Sequence, residues 1–299
     1  MPATPIDAPH GPALARPRRA ALLVNPAAGS APSDHDGIGR LVEALYASGY
    51  EILHPVRWDL AIDGQLAAAL EARPQIVFVT GGDGTIRAVA EGLLGRDIVL
   101  GILPGGTMNR VAARLGLAGD PLVAARSLAD AVTVPLPAGT LNGLVFLYQS
   151  VAGRTSRLVR FREMQRGVGL AGWLPLLRAA LRWVVRPPRR SLRLRDGGRA
   201  IRADVVVVTL PLPGAEPAFQ IDAVRRGGLL TGLRQGWRWM RGKLATDEGV
   251  VSFDRPRLAV QGMDRGLRVT LDGEQHLLSP PLRFHLRPDA LHVLRPRRE

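Results

Sequence analysis

Residues 75–115 read QIVFVTGGDGTIRAVAEGLLGRDIVLGILPGGTMNRVAARL, and the order of apolar runs and glycine clusters in them decides the fold. Gln75–Thr80 and Ile98–Leu103 are short apolar runs of strand length. Between them, Thr85–Leu94 spaces its apolar residues as one face of a helix. A glycine cluster follows each strand, and a further helix runs through Leu115. Strand, loop, helix, strand is a βαβ unit, which makes the two strands parallel. The alternation extends upstream through a strand at Ala20–Val24, a helix at Gly37–Ser48, a strand at Glu51–Val56 and a helix at Ile62–Ala72. The glycine-bearing loops therefore fall at the carboxyl edge of a parallel sheet, where α/β folds bind their ligands.

In the second half of the chain the pattern changes, with a boundary near Pro135–Gly139. Short strand candidates crowd together at Val132–Leu136, Gly143–Ala152, Ser191–Arg195, Ile201–Leu210, Val250–Phe253, Leu258–Val260, Leu267–Leu271, Leu282–Arg287 and Leu291–Leu294. Asp196-Gly197-Gly198 and Asp272-Gly273 stand among them as hairpin turns. Helical stretches near 162–185 and 228–241 interrupt the strands. The expected organisation is a disordered tail over 1–18, an α/β domain over 19–137, and a mainly antiparallel β domain with helical insertions over 138–299. The last strands of the chain are free to return to the first domain.

The chain has 299 residues, 46% hydrophobic, with no cysteine and no apolar run long enough to cross a bilayer. A disulfide framework and a thiolate metal site are excluded, in keeping with a reducing compartment. Forty Lys+Arg against 26 Asp+Glu leave a net charge of +14, and Lys243 is the sole lysine. Such an excess attracts polyanions: nucleotide phosphates, anionic membrane or nucleic acid. Nucleic acid is the poorest of these, because base-stacking aromatics are sparse.

Three loops carry the chemistry: Asn25-Pro26-Ala27-Ala28-Gly29-Ser30, Gly81-Gly82-Asp83-Gly84-Thr85 and Pro104-Gly105-Gly106-Thr107-Met108-Asn109. Each ends a strand and lacks bulky side chains, so backbone N–H groups can approach a phosphate and the following helix adds its positive end. Thr85 and Thr107 stand at helix starts, where a hydroxyl serves either as a cap or as a phosphate contact. Asp83, an acid inside a phosphate loop, makes sense beside a divalent cation. No Gly-Lys-Ser/Thr follows any of the loops and no G-x-G-x-x-G opens the first helix, which argues against a Walker loop and against a dinucleotide fingerprint.

With these residues assembled, the sequence resembles the diacylglycerol kinase catalytic family, which includes sphingosine kinases and bacterial lipid kinases. The matching pieces are Leu22-Leu23-Val24-Asn25-Pro26 with Gly29, Val79 to Thr85, Leu103 to Asn109, and Leu115-Gly116-Leu117. Leu271-Asp272-Gly273-Glu274 and Arg287 to Leu294 complete them. The resemblance implies a Rossmann-like α/β nucleotide-binding domain followed by a β-sandwich domain, with nucleotide in the cleft between them. It implies ATP around Asn25, Gly29, Gly81, Gly82, Asp83, Gly84, Thr85, Gly106 and Thr107, and Mg²⁺ on Asp83. It further implies Asp272 as general base on a lipid hydroxyl, with Glu274 beside it. From the residues alone, Asp272-Gly273 reads equally as a hairpin turn.

Four departures stand out. Arg110 replaces an acid carried by many relatives after the third-loop asparagine, and Arg57-Trp58-Asp59 replaces a threonine-bearing stretch. Leu210-Pro211 stands where an asparagine is often found, and Pro211–Val224 keeps only Ile221-Asp222 of a segment tied to a structural metal. The acceptor implied is a membrane lipid, met by an enzyme lying peripherally on the cytoplasmic face of the inner membrane. Trp173–Arg186 and Gly228–Lys243 are basic amphipathic stretches with tryptophans, read either as helices for that anionic surface or as ordinary domain helices whose apolar faces enter the core. The oligomeric state is open between monomer and homodimer. Competing readings are a kinase for a soluble acceptor such as NAD, and a non-catalytic binding module of the same fold.

Overall fold

A computed structural model describes residues 18–53, 56–153, 192–196, 198–225, 234–235, 247–262 and 265–297. The amino-terminal tail lies outside them, as do the two basic helical stretches apart from Arg234 and Gln235. The chain divides into two units, the first comprising residues 1–138, 212–216 and 287–299, and the second 139–211 and 217–286.

The first unit is built from β1 (Arg18–Val24), α1 (His35–Ala47), β2 (Tyr50–Ile52), α2 (Ile62–Glu71), β3 (Ile76–Gly81), α3 (Asp83–Leu93), β4 (Val99–Pro104), α4 (Arg110–Arg114) and α5 (Pro121–Ser127). Strands pair in parallel in the order β2-β1-β3-β4, and His292 and Val293 from the end of the chain extend the sheet beyond β4, again in parallel. β3 is buried at every position, the signature of a strand covered on both faces. α3 turns Ile86, Val89, Ala90 and Leu93 inward at helical spacing. α5 has no counterpart in the sequence reading, although its start is marked: Asp120 accepts from the Leu122 and Val123 amides, and Pro121 occupies the first turn.

The remaining strands are β5 (Val132–Leu141), β6 (Leu144–Phe146), β7 (Gln149–Gly153), β8 (Leu192–Asp196), β9 (Arg199–Ala203), β10 (Val205–Thr209), β11 (Phe219–Val224), β12 (Val250–Arg255), β13 (Arg257–Val260), β14 (Leu267–Leu271), β15 (Glu274–Leu278) and β16 (Leu282–Arg295). In the second unit an antiparallel six-stranded sheet runs β12-β11-β10-β7-β14-β15. Its inner face meets the β5–β6 hairpin, the β8–β9 hairpin, β13 and the start of β16 in one core, centred on Phe146, Phe219 and Phe284. Phe146 and Phe219 stack at 5.9 Å, and Phe284 meets both edge-on. Asp247 fastens the start of β12: the Gly249 amide, Gln235 Nε2 and Arg234 Nε all donate to it. Burial opposes its ionisation, but these three donors together hold its carboxyl below the usual range.

Several expected strands are divided or joined. The run 201–210 is two strands: β9 pairs with β8, and after Asp204 the chain enters the six-stranded sheet as β10. The run 143–152 breaks between β6 and β7 at Leu147 and Tyr148. Conversely, 282–287 and 291–294 belong to one strand, β16, which carries Pro288 without interruption because proline's fixed φ suits extended backbone. β11 and β15 are strands the sequence reading did not contain.

Within β11, Asp222 is buried beside Ser252, whose hydroxyl donates to its Oδ1 at 2.6 Å. Burial pushes this carboxyl above its ordinary range, against the opposing hydrogen bonds from Ser252 and Gln220. An acid raised by folding binds more protons folded than unfolded. Its contribution to stability is therefore full below the unfolded pKa and is lost as pH rises through the folded one. Asp222→Asn should raise the thermal midpoint near pH 8, and the gain should shrink toward about pH 4. A midpoint at pH 8 no higher than wild type would contradict this.

Candidate functional site

β1, β3 and β4 are neighbours, so the loops leaving their carboxyl ends lie side by side, with Val24 beside Thr80 and Gly81 beside Pro104. The first loop begins where the Asn25 amide donates to Thr80 O at 3.0 Å. The Asn25 side chain turns both ways: Oδ1 accepts from the Ala27 amide at 3.2 Å, and Nδ2 donates to Thr85 Oγ1 at 2.7 Å. At its far end the Ser30 amide donates to Gly105 O at 2.7 Å. The first loop is thus tied to α3 on one side and to the third loop on the other.

In the second loop Gly82 precedes α3 with no side-chain cap. The helix's first internal bond runs from the Ile86 amide to Gly82 O, so the amides of Asp83, Gly84 and Thr85 have no intrahelical acceptor. A Cβ on Gly81 would stand 2.7–2.9 Å from three atoms of the Thr85 side chain; glycine there lets Thr85 fold back toward Asn25. Asp83 Oδ1 accepts from the Val111 amide at 3.3 Å, which links the second loop to α4.

The third loop closes on itself. Asn109 takes the left-handed conformation (φ 47°, ψ 44°), its Oδ1 accepts from the Gly106 amide at 2.8 Å, and its carbonyl accepts from the Ala113 amide. Gly106 passes so near Gly82 that an added Cβ would meet Gly82 Cα at 2.5 Å. Thr107 is exposed at the tip, and a Cβ on Gly29 would be 3.7 Å from its Oγ1.

Asn25, Gly29, Gly81, Gly82, Asp83, Gly84, Thr85, Gly106 and Thr107 therefore share one sheet edge in the first unit. The product is a strip of near-bare backbone with a helix amino terminus in the middle and one carboxylate, Asp83. Among the described residues no three His, Asp or Glu side chains cluster as a metal site. A single carboxylate suits a magnesium ion that arrives coordinated by phosphate oxygens, since that ion keeps waters and needs few protein ligands.

Two contributors escaped the sequence reading. Asn109 was quoted with the third loop but given no task, although it shapes the loop. Gln65, from α2, is buried and bonds three main-chain groups: its Oε1 accepts from the Val24 amide at 2.9 Å, and its Nε2 donates to Val24 O and Leu60 O at 2.8 and 2.9 Å. Polar residues on apolar helix faces usually pass for surface positions, and only this geometry reveals its task.

Asp272 and Glu274 belong to the second unit. Asp272-Gly273 is a two-residue hairpin between β14 and β15, with φ 49° and 105°, the positive values a type I′ turn requires. The Asp272 carboxylate receives three amides: Leu147 to Oδ2 at 2.6 Å, and Tyr148 and Gln149 to Oδ1 at 2.9 Å each. Leu147 and Tyr148 form the break between β6 and β7 and Gln149 opens β7, so Asp272 clasps the chain at that break. Glu274 opens β15 half-exposed, with Oε2 4.0 Å from His276 Nε2.

Residues 19–141 match the family of the diacylglycerol kinase catalytic domain. A Pseudomonas putida protein named "Probable lipid kinase YegS-like" is 27% identical over 273 residues, covering 87% of this chain and 90% of its own. The Bacillus subtilis diacylglycerol kinase is 22% identical over 276 residues, covering 86% and 90%. A YegS-like relative from Pseudomonas aeruginosa is 34% identical over 141 residues, but the chain spans only 45% of that relative's length. Among solved structures, a diacylglycerol kinase from Bacillus anthracis superimposes with a TM-score of 0.67 at 19% identity, over 93% of this chain and 97% of that one, which establishes a common fold.

Proposed function

We propose that this chain, a member of the diacylglycerol kinase catalytic family through residues 19–141, is an ATP-dependent lipid kinase acting on the hydroxyl of diacylglycerol or a similar membrane lipid. The observation that carries the proposal is the fusion of three side-chain-poor loops into one backbone cradle, tied by Asn25–Thr85, Ser30–Gly105 and Gly106–Asn109.

Phosphoryl transfer asks mainly for alignment and charge neutralisation. The amides of Asp83–Thr85 and the α3 dipole would hold phosphate oxygens, and Asp83 would hold a magnesium ion. Bound there, magnesium withdraws charge from the phosphates. In the transfer, the lipid oxygen forms a bond to the γ-phosphorus while the bond from that phosphorus to the bridging oxygen breaks. The hydroxyl proton passes to a carboxylate, for which Asp272 is the candidate and Glu274 its neighbour. Three amides fix the rotamer of Asp272 and favour its charged form.

The acceptor lies in a membrane, and no described helix is long and apolar enough to cross one. We therefore expect peripheral, electrostatic docking driven by the +14 charge. The test is transfer of label from γ-labelled ATP, with Mg²⁺, to a panel of lipids in mixed micelles with and without anionic lipid. Labelled diacylglycerol or a related lipid alcohol, with a rate that rises with anionic lipid and falls with salt, is the expected result. No transfer to any lipid, or transfer only to NAD, would refute the proposal.

A further inference from the structure

We infer that Gln65 positions the first loop for nucleotide phosphate, acting through Val24 and Asn25 without touching the ligand; the inference rests on the nucleotide reading above. β1 has unequal neighbours. β3 accompanies it as far as Val24, opposite Thr80, whereas β2 pairs only as far as Ile52, opposite Ala20. The Leu53 amide still reaches Ala20 O, but among the described residues no strand serves Val24 on that side. Val24 is fully buried, so water is no substitute, and an orphaned amide and carbonyl would each be costly.

The Gln65 carboxamide stands in for the missing strand. It offers Val24 one acceptor and one donor, as a peptide group would, and its second N–H is secured by Leu60 O. Successive residues of a strand point their main-chain groups to opposite sides. Val24 is therefore held on the β2 side by Gln65, and Asn25 on the β3 side by Thr80. Two opposed anchors on consecutive residues set the direction in which the chain leaves the sheet. They also set the place from which Asn25 reaches Thr85. The α2 helix thereby becomes part of the phosphate cradle's foundation.

The pattern demands a donor and an acceptor on one side chain. Leucine supplies neither, a glutamate carboxylate only acceptors, and a protonated glutamic acid supplies both. MgATP affinity should be measured calorimetrically for the whole chain, for Gln65→Leu and for Gln65→Glu, near pH 8 and near pH 5.5, each relative to wild type at the same pH, alongside thermal melts. Gln65→Leu should bind roughly tenfold or more weakly at both pH values. Gln65→Glu should be weakened comparably near pH 8 and recover to within about threefold near pH 5.5, where burial favours the protonated acid. A role confined to stability would lower both melts with no pH-dependent recovery of affinity, and would overturn the assignment. If Gln65→Leu does not fold, the Gln65→Glu ratio decides alone. Wild-type affinity in a folded Gln65→Leu removes the Gln65 assignment and leaves the nucleotide reading intact, whereas failure of the wild-type chain to bind MgATP removes both.

Discussion

Gly106→Ala should lower nucleotide affinity and turnover together, by roughly 100-fold or more in kcat/KM. The new Cβ would lie 2.5 Å from Gly82 Cα and 3.1 Å from Asn109 Oδ1. Gly82 Cα is backbone and cannot rotate aside, so the second and third loops must separate. Overpacking of this kind costs about 1–3 kcal/mol, a loss the thermal melt should register while the protein stays folded. Gly29→Ala is the comparison, since its Cβ meets nothing nearer than 3.7 Å. That variant should melt like wild type, so any loss of nucleotide affinity in it reports close phosphate approach alone. Wild-type kcat/KM in Gly106→Ala would show that contact between the two loops is not needed for the site.

Asp272→Asn should reduce kcat by roughly 10²–10⁴-fold and destabilise the fold at the same time. Asparagine tolerates the left-handed backbone of the turn, so the conformation at φ 49° is not the difficulty. The difficulty is three amide donors facing a group with one acceptor oxygen and an NH2. At least one N–H loses its partner and meets another donor, a cost of about 1–3 kcal/mol. Nucleotide affinity, assigned by the proposal to loops of the first unit, should stay near wild type. Turnover measured well below the melting transition separates the two effects. If the folded variant turns over like wild type, the carboxylate is a clasp for the β6–β7 break and nothing more.

The parallel sheet was legible because its central strands β3 and β4 are apolar runs that lead into glycine clusters, and helices such as α3 keep a single buried face. The β domain was harder to read. The apolar run across 201–210 hides a change of sheet at Asp204, because a residue that bends between two sheets leaves the hydrophobic pattern on either side intact. β11 went unread although Phe219, Ile221 and Ala223 alternate with Gln220 and Asp222; what the alternation cannot show is that Asp222 is buried as well, beside Ser252. β15 opens with Glu274 and Gln275 and exposes Leu277, as an edge strand can. The nine loop residues that share one sheet edge were legible from the glycine clusters that follow successive strands. Gln65 and Asn109 were not, because they act on the main chain of residues distant in sequence or locally folded back, and pattern alone carries no trace of such a bond.

The clasp formed by Asp272 bears on how descent can be read from chains of this kind. A residue that holds three amides in the β6–β7 break is under selection for folding whether or not chemistry survives. A duplicate that had abandoned phosphoryl transfer for mere ligand binding would still keep its Asp-Gly hairpin, because losing it costs stability. Decay of activity should surface first at a position with no such second duty: Gly29, exposed and uncrowded. That glycine, rather than the aspartate, is where a silent kinase would give itself away.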